Sequence, residues 1–180
     1  YALGKTSGKA NILKNLQELG LTLNPDELKK VTERIINLGD KKEKVTKEDL
    51  PYIISDVLDA GKYIHRVKID AYVLTHAKGL QPSATVSLTI GEVSHEQHAN
   101  GDGQFDAFMN ALKRIYKNEK EQLAVLTDYA VRIPPGSTSD ALCETIITWE
   151  HHGKEFITRG LDSDQTVSAI KATEKMLNIL

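Results

Sequence analysis

The chain of 180 residues contains one cysteine, one tryptophan and no apolar run that approaches the length of a membrane span. A lone cysteine, Cys143, excludes an internal disulfide and suits a reducing compartment. It lies in the strand-like stretch "ALCETIITW", where a small wall residue is expected rather than a nucleophile. A membrane span needs about 20 consecutive apolar residues, and no secretory signal pattern is visible. These absences predict a globular cytoplasmic protein without a membrane segment.

An excess of charge of one sign is also missing. The 23 basic and 25 acidic residues give a formal net charge of −2, so no global field attracts the protein to nucleic acid or to an anionic membrane. The one charge run, "DKKEKVTKED", mixes both signs and contains no aromatic residue, which is typical of a solvated connector. We therefore expect neither nucleic acid nor a membrane among the partners.

No arrangement of side chains suggests a catalytic or metal centre. The motif "HEQH" at His95 and His98 lacks the spacing of a helical zinc site, and residues three apart on a strand point to opposite faces. His151 and His152 precede Gly153 in a predicted turn between strands. The carboxylates of the second half of the chain have no base or nucleophile at a useful spacing. We expect no catalytic residue and no metal in this chain.

The first sixty residues show the periodicity of helices. Apolar residues recur at helical spacing in "SGKANILKNLQELG", in "NPDELKKVTERIINLGD" and from residue 50 onwards. Asn24 and Pro25 are the residue types preferred at an N-cap and at the first helical position. Thr46 with Asp49 resembles a capping box before a third helix. The sequence predicts a small helical linker subdomain over residues 1–62.

After the helices, an order of three strands and one helix occurs twice. "VKIDAYVLT", "SATVSLTIGEV" and "HEQHAN" are typical of strands, and "GDGQFDAFMNALKRIY" of an amphipathic helix. "LTDYAVRI", "DALCETIITWEHH", "KEFITRG" and "SDQTVSAIKATEKMLNIL" repeat that order. Sliding the sequence along itself places Tyr129 on Tyr72, and small insertions then place Gly160 on Gly101. The fold class is therefore predicted as α+β, with a duplicated β-β-β-α domain over residues 63–180.

The two units are predicted at residues 63–120 and 121–180. Each unit buries one face of its sheet, so the duplicates are expected to pack around a pseudo-two-fold axis. Exposed sheet edges call for further burial, which dimerisation supplies.

Both predicted unit helices begin after a turn that favours ligand contact. In "NGDGQFDA", Gly101 and Gly103 let the backbone approach a ligand and direct free N–H groups at an anion, and "GLDSDQTV" precedes the other helix. Leu126, Tyr129 and Ile133 offer an apolar wall with one hydroxyl. A carboxylate grip beside such a wall suits a hydrophobic amino acid. The alternative at this point is that the glycines only end strands and the aromatic residues only fill the core.

Several motifs resemble those of a known family. "LGKTSGKANILKNLQELG" and "LGDKKEKVTKEDL" are similar to the stretch after the catalytic barrel of the 2-isopropylmalate and citramalate synthases. GDGxxDA, DYxVRIPPG and the terminal DQTV helix follow the order and spacing of the family's C-terminal regulatory domain. "GKTSG" resembles the family's GKxSG rather than the end of a nucleotide-binding P-loop, whose strand and first glycine are not visible. The chain resembles the linker subdomain plus the regulatory domain.

The resemblance implies a function that is divided between two parts of a longer protein. In the family, a metal-dependent barrel condenses acetyl-CoA with a 2-keto acid in branched-chain amino-acid biosynthesis. That barrel is expected upstream of this chain, so the chain alone should be inactive, and divalent metal and acetyl-CoA belong to the missing catalytic domain. The regulatory domain implies a homodimer that binds a feedback inhibitor.

The resemblance also implies an inhibitor pocket, position by position. Its residues are Gly101, Asp102, Gly103, Phe105, Asp106, Leu126, Tyr129, Ile133, Cys143, Ser163 and Gln165. Phe105 stands where the family has a tyrosine and Cys143 where it has a valine, which changes the shape and polarity of the pocket. Leucine is expected as the inhibitor, with its carboxylate on N–H groups near Gly103 and Phe105. This expectation makes the chain the regulatory part of a 2-isopropylmalate synthase. The alternatives are the regulatory part of a citramalate synthase inhibited by isoleucine, or a dimerisation module without a ligand.

Overall fold

The structure is a computed structural model of the chain and describes residues 9–18, 20, 22–40, 49–60, 65–133 and 142–180. Three helices come first: α1 (Lys9–Glu18), α2 (Pro25–Asp40) and α3 (Leu50–Ala60). The first unit follows as β1 (Val67–Thr75), β2 (Ser83–Ile90), β3 (Val93–Asn100) and α4 (Gln104–Tyr116). The second unit is β4 (Val125–Arg132), β5 (Cys143–His151), β6 (Lys154–Asp162) and α5 (Gln165–Leu177). The predicted α+β class and the duplicated β-β-β-α order are confirmed.

Helix α2 begins where its residue types predict. The Asn24 N–H donates to Glu27 Oε2 at 2.9 Å, and the Glu27 N–H donates to Asn24 Oδ1 at 2.8 Å. This reciprocal pair satisfies two N–H groups at the start of the helix, and Pro25 occupies the first helical position. The capping box predicted at Thr46 lies outside the described residues, and so does the predicted boundary between residues 62 and 63.

The two units form separate three-stranded antiparallel sheets, in the orders β1-β2-β3 and β4-β5-β6. Tyr72 lies opposite Val86 in the first sheet, and Tyr129 lies opposite Ile147 in the second. The outer strands β1 and β4 carry their register shifts at equivalent positions, between Ile69 and Ala71 and between Leu126 and Asp128. The two units therefore share strand order, register and irregularity.

The structure corrects one expected equivalence between the units. The helices begin at the N-caps Gly103 and Asp164, and the third strands precede these caps in matching register. Gly101 therefore corresponds to Asp162, and the expected match of Gly160 with Gly101 is wrong. The expected match relied on the identity of the two glycines, whereas equivalent positions are those with the same strand-pairing register. A Cβ on Gly160 would lie 1.9 Å from the Ser168 carbonyl oxygen, so this glycine lets β6 approach α5 closely.

In the described part of the chain, two hydrophobic clusters form the interior. The larger cluster lies between the sheets and helices α4 and α5, and its bulkiest fully buried side chains are Trp149 and Phe108. The smaller cluster unites α1, α2 and α3 with Leu142 and Leu161 of the second unit. The first three helices therefore pack on the second unit. Among the described residues, no helix has the length and apolar character to cross a membrane.

Candidate functional site

A cavity of about 410 Å³ lies between α4 of the first unit and the start of β4 in the second. Its α4 wall is formed by residues at helical spacing, and its other wall by the segment that leads into β4. The lining residues are Phe105, Asp106, Met109, Lys113, Leu123, Ala124, Val125 and Leu126. The walls are mostly apolar, with one acid and one base on the same helix. A concave apolar site with few polar groups is typical of small-molecule binding.

A row of aromatic rings borders this cavity and connects the units. The Tyr129 ring lies 5.6 Å from the Phe105 ring, centroid to centroid, and Phe105 stacks on Phe108 at 6.2 Å. Phe108 in turn meets the edge of Tyr72 at 6.1 Å. The row thus runs from β4 across the first turns of α4 to β1. Because Phe105 also lines the cavity, this row of rings bounds the cavity near the N-terminus of α4.

The turn before α4 contains a carboxylate of its own. The N-cap Gly103 has extended backbone and no side chain to cap the helix, while Asp106 Oδ2 accepts a hydrogen bond from the Asp102 N–H at 2.8 Å. A Cβ on Gly101 would lie 2.3 Å from the Ala107 nitrogen, so Gly101 is required for packing. A Cβ on Gly103 would meet nothing within 4 Å. This helix start is open, but a negative charge lies beside it.

The turn before α5 is closed by its own side chains. Asp164 caps the helix by accepting the Val167 N–H at 2.9 Å, and Asp162 Oδ1 accepts the Asp164 N–H at 3.1 Å. Asp162 Oδ2 binds Lys171 Nζ at 2.8 Å and Arg34 Nη2 at 3.4 Å. Burial acts to raise the pKa of Asp162, but Lys171, the Asp164 N–H and Arg34 outweigh it and hold that pKa below its ordinary value. The two helix starts therefore differ in chemistry.

Cys143 lies on the helix side of β5, near the start of α5. Its thiol is 3.6 Å from Ser168 Oγ, and burial raises the pKa of the thiol, which disfavours a thiolate nucleophile. Burial also raises the pKa of the Tyr72 phenol, and the charges of Asp162 and Asp164 raise it further. Cys143 is therefore a buried packing residue.

All predicted pocket residues except Ile133 fall into two groups in the structure. Phe105, Asp106 and Leu126 line the cavity, Tyr129 contacts Phe105, and Gly101, Asp102 and Gly103 form the turn before α4. Cys143, Ser163 and Gln165 belong instead to the start of α5. Ile133 follows β4 and is 61% exposed.

Sequence reasoning did not identify five of the lining residues. Met109 and Lys113 follow Phe105 at intervals of four residues, so helical spacing alone could have indicated them. Leu123, Ala124 and Val125 follow the polar stretch "KNEKEQ", and no pattern in the sequence indicates that they meet α4.

The histidines of "HEQH" have separate partners. His95 Nε2 lies 3.4 Å from Glu119 Oε1, and His98 Nδ1 lies 3.0 Å from Thr85 Oγ1. No group of three or more histidine, cysteine or acidic side chains is arranged to hold a metal within the described ranges.

Residues 44–180 match the family profile described as the LeuA allosteric (dimerisation) domain. Over 178 residues, the chain is 31% identical to the "Putative (R)-citramalate synthase CimA" of Archaeoglobus fulgidus, covering 99% of this chain and 36% of the relative. It is 32% identical over 183 residues to the 2-isopropylmalate synthase of Methanocaldococcus jannaschii, which covers 98% of this chain and 34% of the relative. It is 31% identical over 176 residues to the 2-isopropylmalate synthase of Heliobacterium modesticaldum, which covers 98% of this chain and 33% of the relative. The chain spans about a third of the length of these relatives. Since the family profile covers most of the chain, this protein belongs to the LeuA allosteric (dimerisation) domain family.

Proposed function

We propose that this chain is the regulatory part of a 2-isopropylmalate synthase and that it binds leucine as a feedback inhibitor. The observation that supports this proposal is the apolar cavity between α4 and β4, in a chain whose family is an allosteric domain. Three residues that the resemblance implied for the inhibitor pocket, Phe105, Asp106 and Leu126, line that cavity.

We propose that the condensation reaction takes place in a part of the parent enzyme that lies outside these residues. The parent enzyme condenses acetyl-CoA with a 2-keto acid in the cytoplasm, and its barrel binds the divalent metal. Residues 1–62 act as the linker subdomain and residues 63–180 as the regulatory domain. The proposal draws on the names of two relatives, both 2-isopropylmalate synthases.

A branched aliphatic side chain suits the walls of the cavity. Phe105, Met109, Leu123 and Leu126 present a ring, a thioether and methyl groups, and Asp106 and Lys113 are the charged residues of the lining. Burying a leucine-sized side chain contributes roughly 1.5–3 kcal/mol. The charged α-groups of an amino acid then provide orientation, which an apolar surface alone does not.

We also propose that the chain acts as a homodimer. Tyr72 and Val131 lie on the helix side of the outer strands, yet they are 36% and 37% exposed, and Ile133 just beyond β4 is 61% exposed. Exposed apolar groups at unpaired sheet edges favour coverage by a second copy. The family description as a dimerisation domain supports the same conclusion.

A citramalate synthase inhibited by isoleucine is the second candidate. It is favoured by the relatives named "Putative (R)-citramalate synthase CimA", which are 29–31% identical to this chain. Leucine and isoleucine are isomers, so only the shape of the pocket separates them, and even a whole methylene is worth only about 1–3 kcal/mol.

Calorimetric titration of the purified chain with leucine, isoleucine and valine tests the proposal. We expect leucine to bind most tightly and to raise the melting temperature, because a ligand that binds only the folded state stabilises it. Tighter binding of isoleucine would favour the citramalate synthase. If none of the three amino acids gives heat or a thermal shift, the chain is a dimerisation module without such a ligand. Light scattering on the same samples should give the mass of a dimer, and a monomer at micromolar concentration would contradict that part.

A matched pair of variants tests the location. Leu126→Ala should weaken leucine binding about tenfold by removing one apolar wall. Val93→Ala changes an exposed apolar residue of the first unit that does not line the cavity, and it should leave the affinity unchanged. Equal affinities for both variants would place leucine elsewhere.

A further inference from the structure

A second cavity, of about 420 Å³, lies where α2 and α3 meet α5 of the second unit. It shares no lining residue with the cavity between α4 and β4, and its lining is almost entirely polar. The polar and charged residues that line it are Lys30, Glu33, Arg34, Asn37, Asp56 and Lys171. Such a lining suits a charged ligand rather than an aliphatic one.

Two cations of this cavity converge on the same two oxygen atoms. Arg34 Nη2 donates to the Leu161 carbonyl oxygen at 3.2 Å, and Lys171 Nζ donates to the same oxygen at 2.9 Å. Asp162 Oδ2 also accepts from both nitrogens, at 3.4 Å from Arg34 and 2.8 Å from Lys171. One carboxylate therefore serves two cations, and one positive charge at this wall of the cavity is left without a counter-ion.

The ammonium group of Lys171 shows the effect of this excess of positive charge. Burial and the charge of Arg34 lower the pKa of Lys171. The hydrogen bond and charge of Asp162 act in the opposite direction, as does the charge of Asp56, but they do not prevail. A further anion beside Lys171 would therefore be attracted to this position.

The wall on α2 supplies further donors. Lys30 and Arg34 are four residues apart, so their side chains are neighbours on the same side of the helix. Among the described residues, Lys30 has no ion-pair partner. Both contacts of Arg34 use Nη2, and a guanidinium carries five N–H donors, so Arg34 can bind a further acceptor. Lys171 has three donors, of which its two contacts use two.

Two acids of the lining oppose an anion, but they do not cancel the positive charge. Asp56 Oδ1 accepts Lys175 Nζ at 3.1 Å, so a base outside the lining compensates its charge. Glu33 is exposed, so solvent screens it. When Lys175 and Asp162 are counted with the lining, four bases face three acids. The junction of the helices therefore carries an excess of one positive charge.

We propose that this cavity binds a phosphate group. The phosphate oxygens accept hydrogen bonds from the Lys30 and Lys171 ammonium groups and from the Arg34 guanidinium, whose planar fork suits phosphate. Because Lys30 and Arg34 belong to α2 and Lys171 to α5, the bound phosphate holds these helices together beside the Asp162 contact. The site is separate from the proposed amino-acid cavity, so its test does not depend on leucine binding.

Calorimetric titration of the purified chain with inorganic phosphate tests the inference, with sodium chloride at the same ionic strength as the reference. We expect phosphate to bind with a Kd of about 1 mM. It should also raise the melting temperature, because a ligand that binds only the folded state stabilises it. If phosphate gives no heat and no larger thermal shift than chloride, the inference is overturned.

Glycerol 3-phosphate distinguishes free phosphate from a phosphate ester. Both present the same terminal oxygens, and the cavity is large enough for a substituent, since small-molecule sites span roughly 300–1,000 Å³. Tighter binding of glycerol 3-phosphate identifies an ester as the preferred ligand, and tighter binding of inorganic phosphate identifies the free ion. Either result supports the inference.

A matched pair of lysine variants tests the position of the site. Lys29 and Lys30 are both exposed on α2, but only Lys30 lines the cavity. Lys30→Gln should weaken phosphate binding about tenfold, because a charge-assisted hydrogen bond is lost. Lys29→Gln removes the same charge and should leave the affinity within about twofold. Equal weakening by both variants would show a response to charge alone and would overturn the inference.

Removing the exposed acid of the lining should have the opposite effect. Glu33→Gln should strengthen phosphate binding about threefold, because a like charge leaves the cavity. Glu92→Gln removes an acid from the turn between β2 and β3 and serves as the control, with no expected effect. If Glu33→Gln leaves phosphate binding unchanged or weakens it, phosphate does not occupy this cavity.

Discussion

Replacing Asp162 by asparagine tests how the first three helices are held on the second unit. The Asp162 side chain is 5% exposed and receives Lys171 Nζ at 2.8 Å and Arg34 Nη2 at 3.4 Å. Lys171 belongs to α5, whereas Arg34 belongs to α2, so this carboxylate connects the two parts of the chain. Asparagine keeps the size of the side chain and removes its charge. We therefore expect Asp162→Asn to destabilise the docking of α2.

The expected loss of stability in Asp162→Asn depends on how deeply Arg34 and Lys171 are buried. Removing one partner of a fully buried ion pair costs about 3–5 kcal/mol, and an exposed pair contributes about 0–1 kcal/mol. Here the side chains of Arg34 and Lys171 are 17% and 30% exposed, so both cations can regain some hydration. We expect Asp162→Asn to lower the free energy of unfolding by about 2–3 kcal/mol at pH 7.

The loss should depend on pH with a defined sign. Burial acts to raise the pKa of Asp162, but the hydrogen bond and charge of Lys171 prevail and lower it. A carboxyl whose pKa is lower in the folded state stabilises the fold above its unfolded pKa of about 3.9, and that stabilisation disappears as the pH falls through the folded pKa. The difference between wild type and Asp162→Asn should therefore stay constant above about pH 5 and shrink below about pH 4.

Urea unfolding with two probes provides the assay. The single tryptophan, Trp149, is fully buried in the second unit, so its fluorescence reports the larger cluster, whereas far-UV circular dichroism also reports α1 to α3. In Asp162→Asn the helical signal should be lost at lower urea than the fluorescence change. Glu121→Gln is the control, because Glu121 and its partner Arg66 are 44% and 39% exposed and the expected loss is below about 1 kcal/mol. A change in Asp162→Asn within about 0.5 kcal/mol of wild type would refute the reasoning.

Substitutions at four further positions have defined outcomes in urea unfolding. Gly160→Ala should lower the free energy of unfolding by more than about 3 kcal/mol, because its Cβ would lie 1.9 Å from the Ser168 carbonyl oxygen. Gly103→Ala should lower it by less than about 1 kcal/mol, because a Cβ there would meet nothing within 4 Å. Tyr116→Phe should leave the free energy of unfolding unchanged or raise it by up to about 1 kcal/mol, because the buried Tyr116 hydroxyl has no hydrogen-bond partner among the described residues. Burial raises the pKa of this phenol to about 12, and an absorbance titration of the wild type checks that value. Asp164→Ala should lower the free energy of unfolding by about 1 kcal/mol, because it removes the α5 cap. Asp164→Asn should keep most of the stability, because asparagine can also cap the helix.

Local patterns predicted most of the fold because they act within single elements. "VKIDAYVLT" alternates between the two faces of a strand, and the structure has β1 at Val67–Thr75. The cap at Asn24 likewise depends on only a few neighbouring residues. The equivalence of the units was predicted less well, since Gly160 and Gly101 share an identity but not a register position. Pairing across a sheet involves residues distant in sequence, which no local pattern encodes.

The candidate cavity was predicted only in part, for a similar reason. The sequence pattern predicted Leu126 as part of an apolar wall, and the family resemblance added Phe105 and Asp106. Helical spacing from Phe105 could have indicated Met109 and Lys113. No such spacing indicates Leu123, because it becomes a wall only when the second unit packs beside α4. A cavity between two units depends on their relative position, whereas a helix or a strand depends on its own residues.

Duplication places the two units in equivalent settings, and a few substitutions make them differ at the helix cap and at the sheet edge. At the helix cap, the second unit has Asp164 where the first has Gly103. At the sheet edge, the second unit supplies Glu174 where the first supplies Lys113, so α5 closes on β1 while α4 leaves space against β4. The second unit also carries Asp162, which binds α2 through Arg34. The two copies therefore differ in what they contact: the edge of β4 borders a cavity, and the start of α5 binds α2.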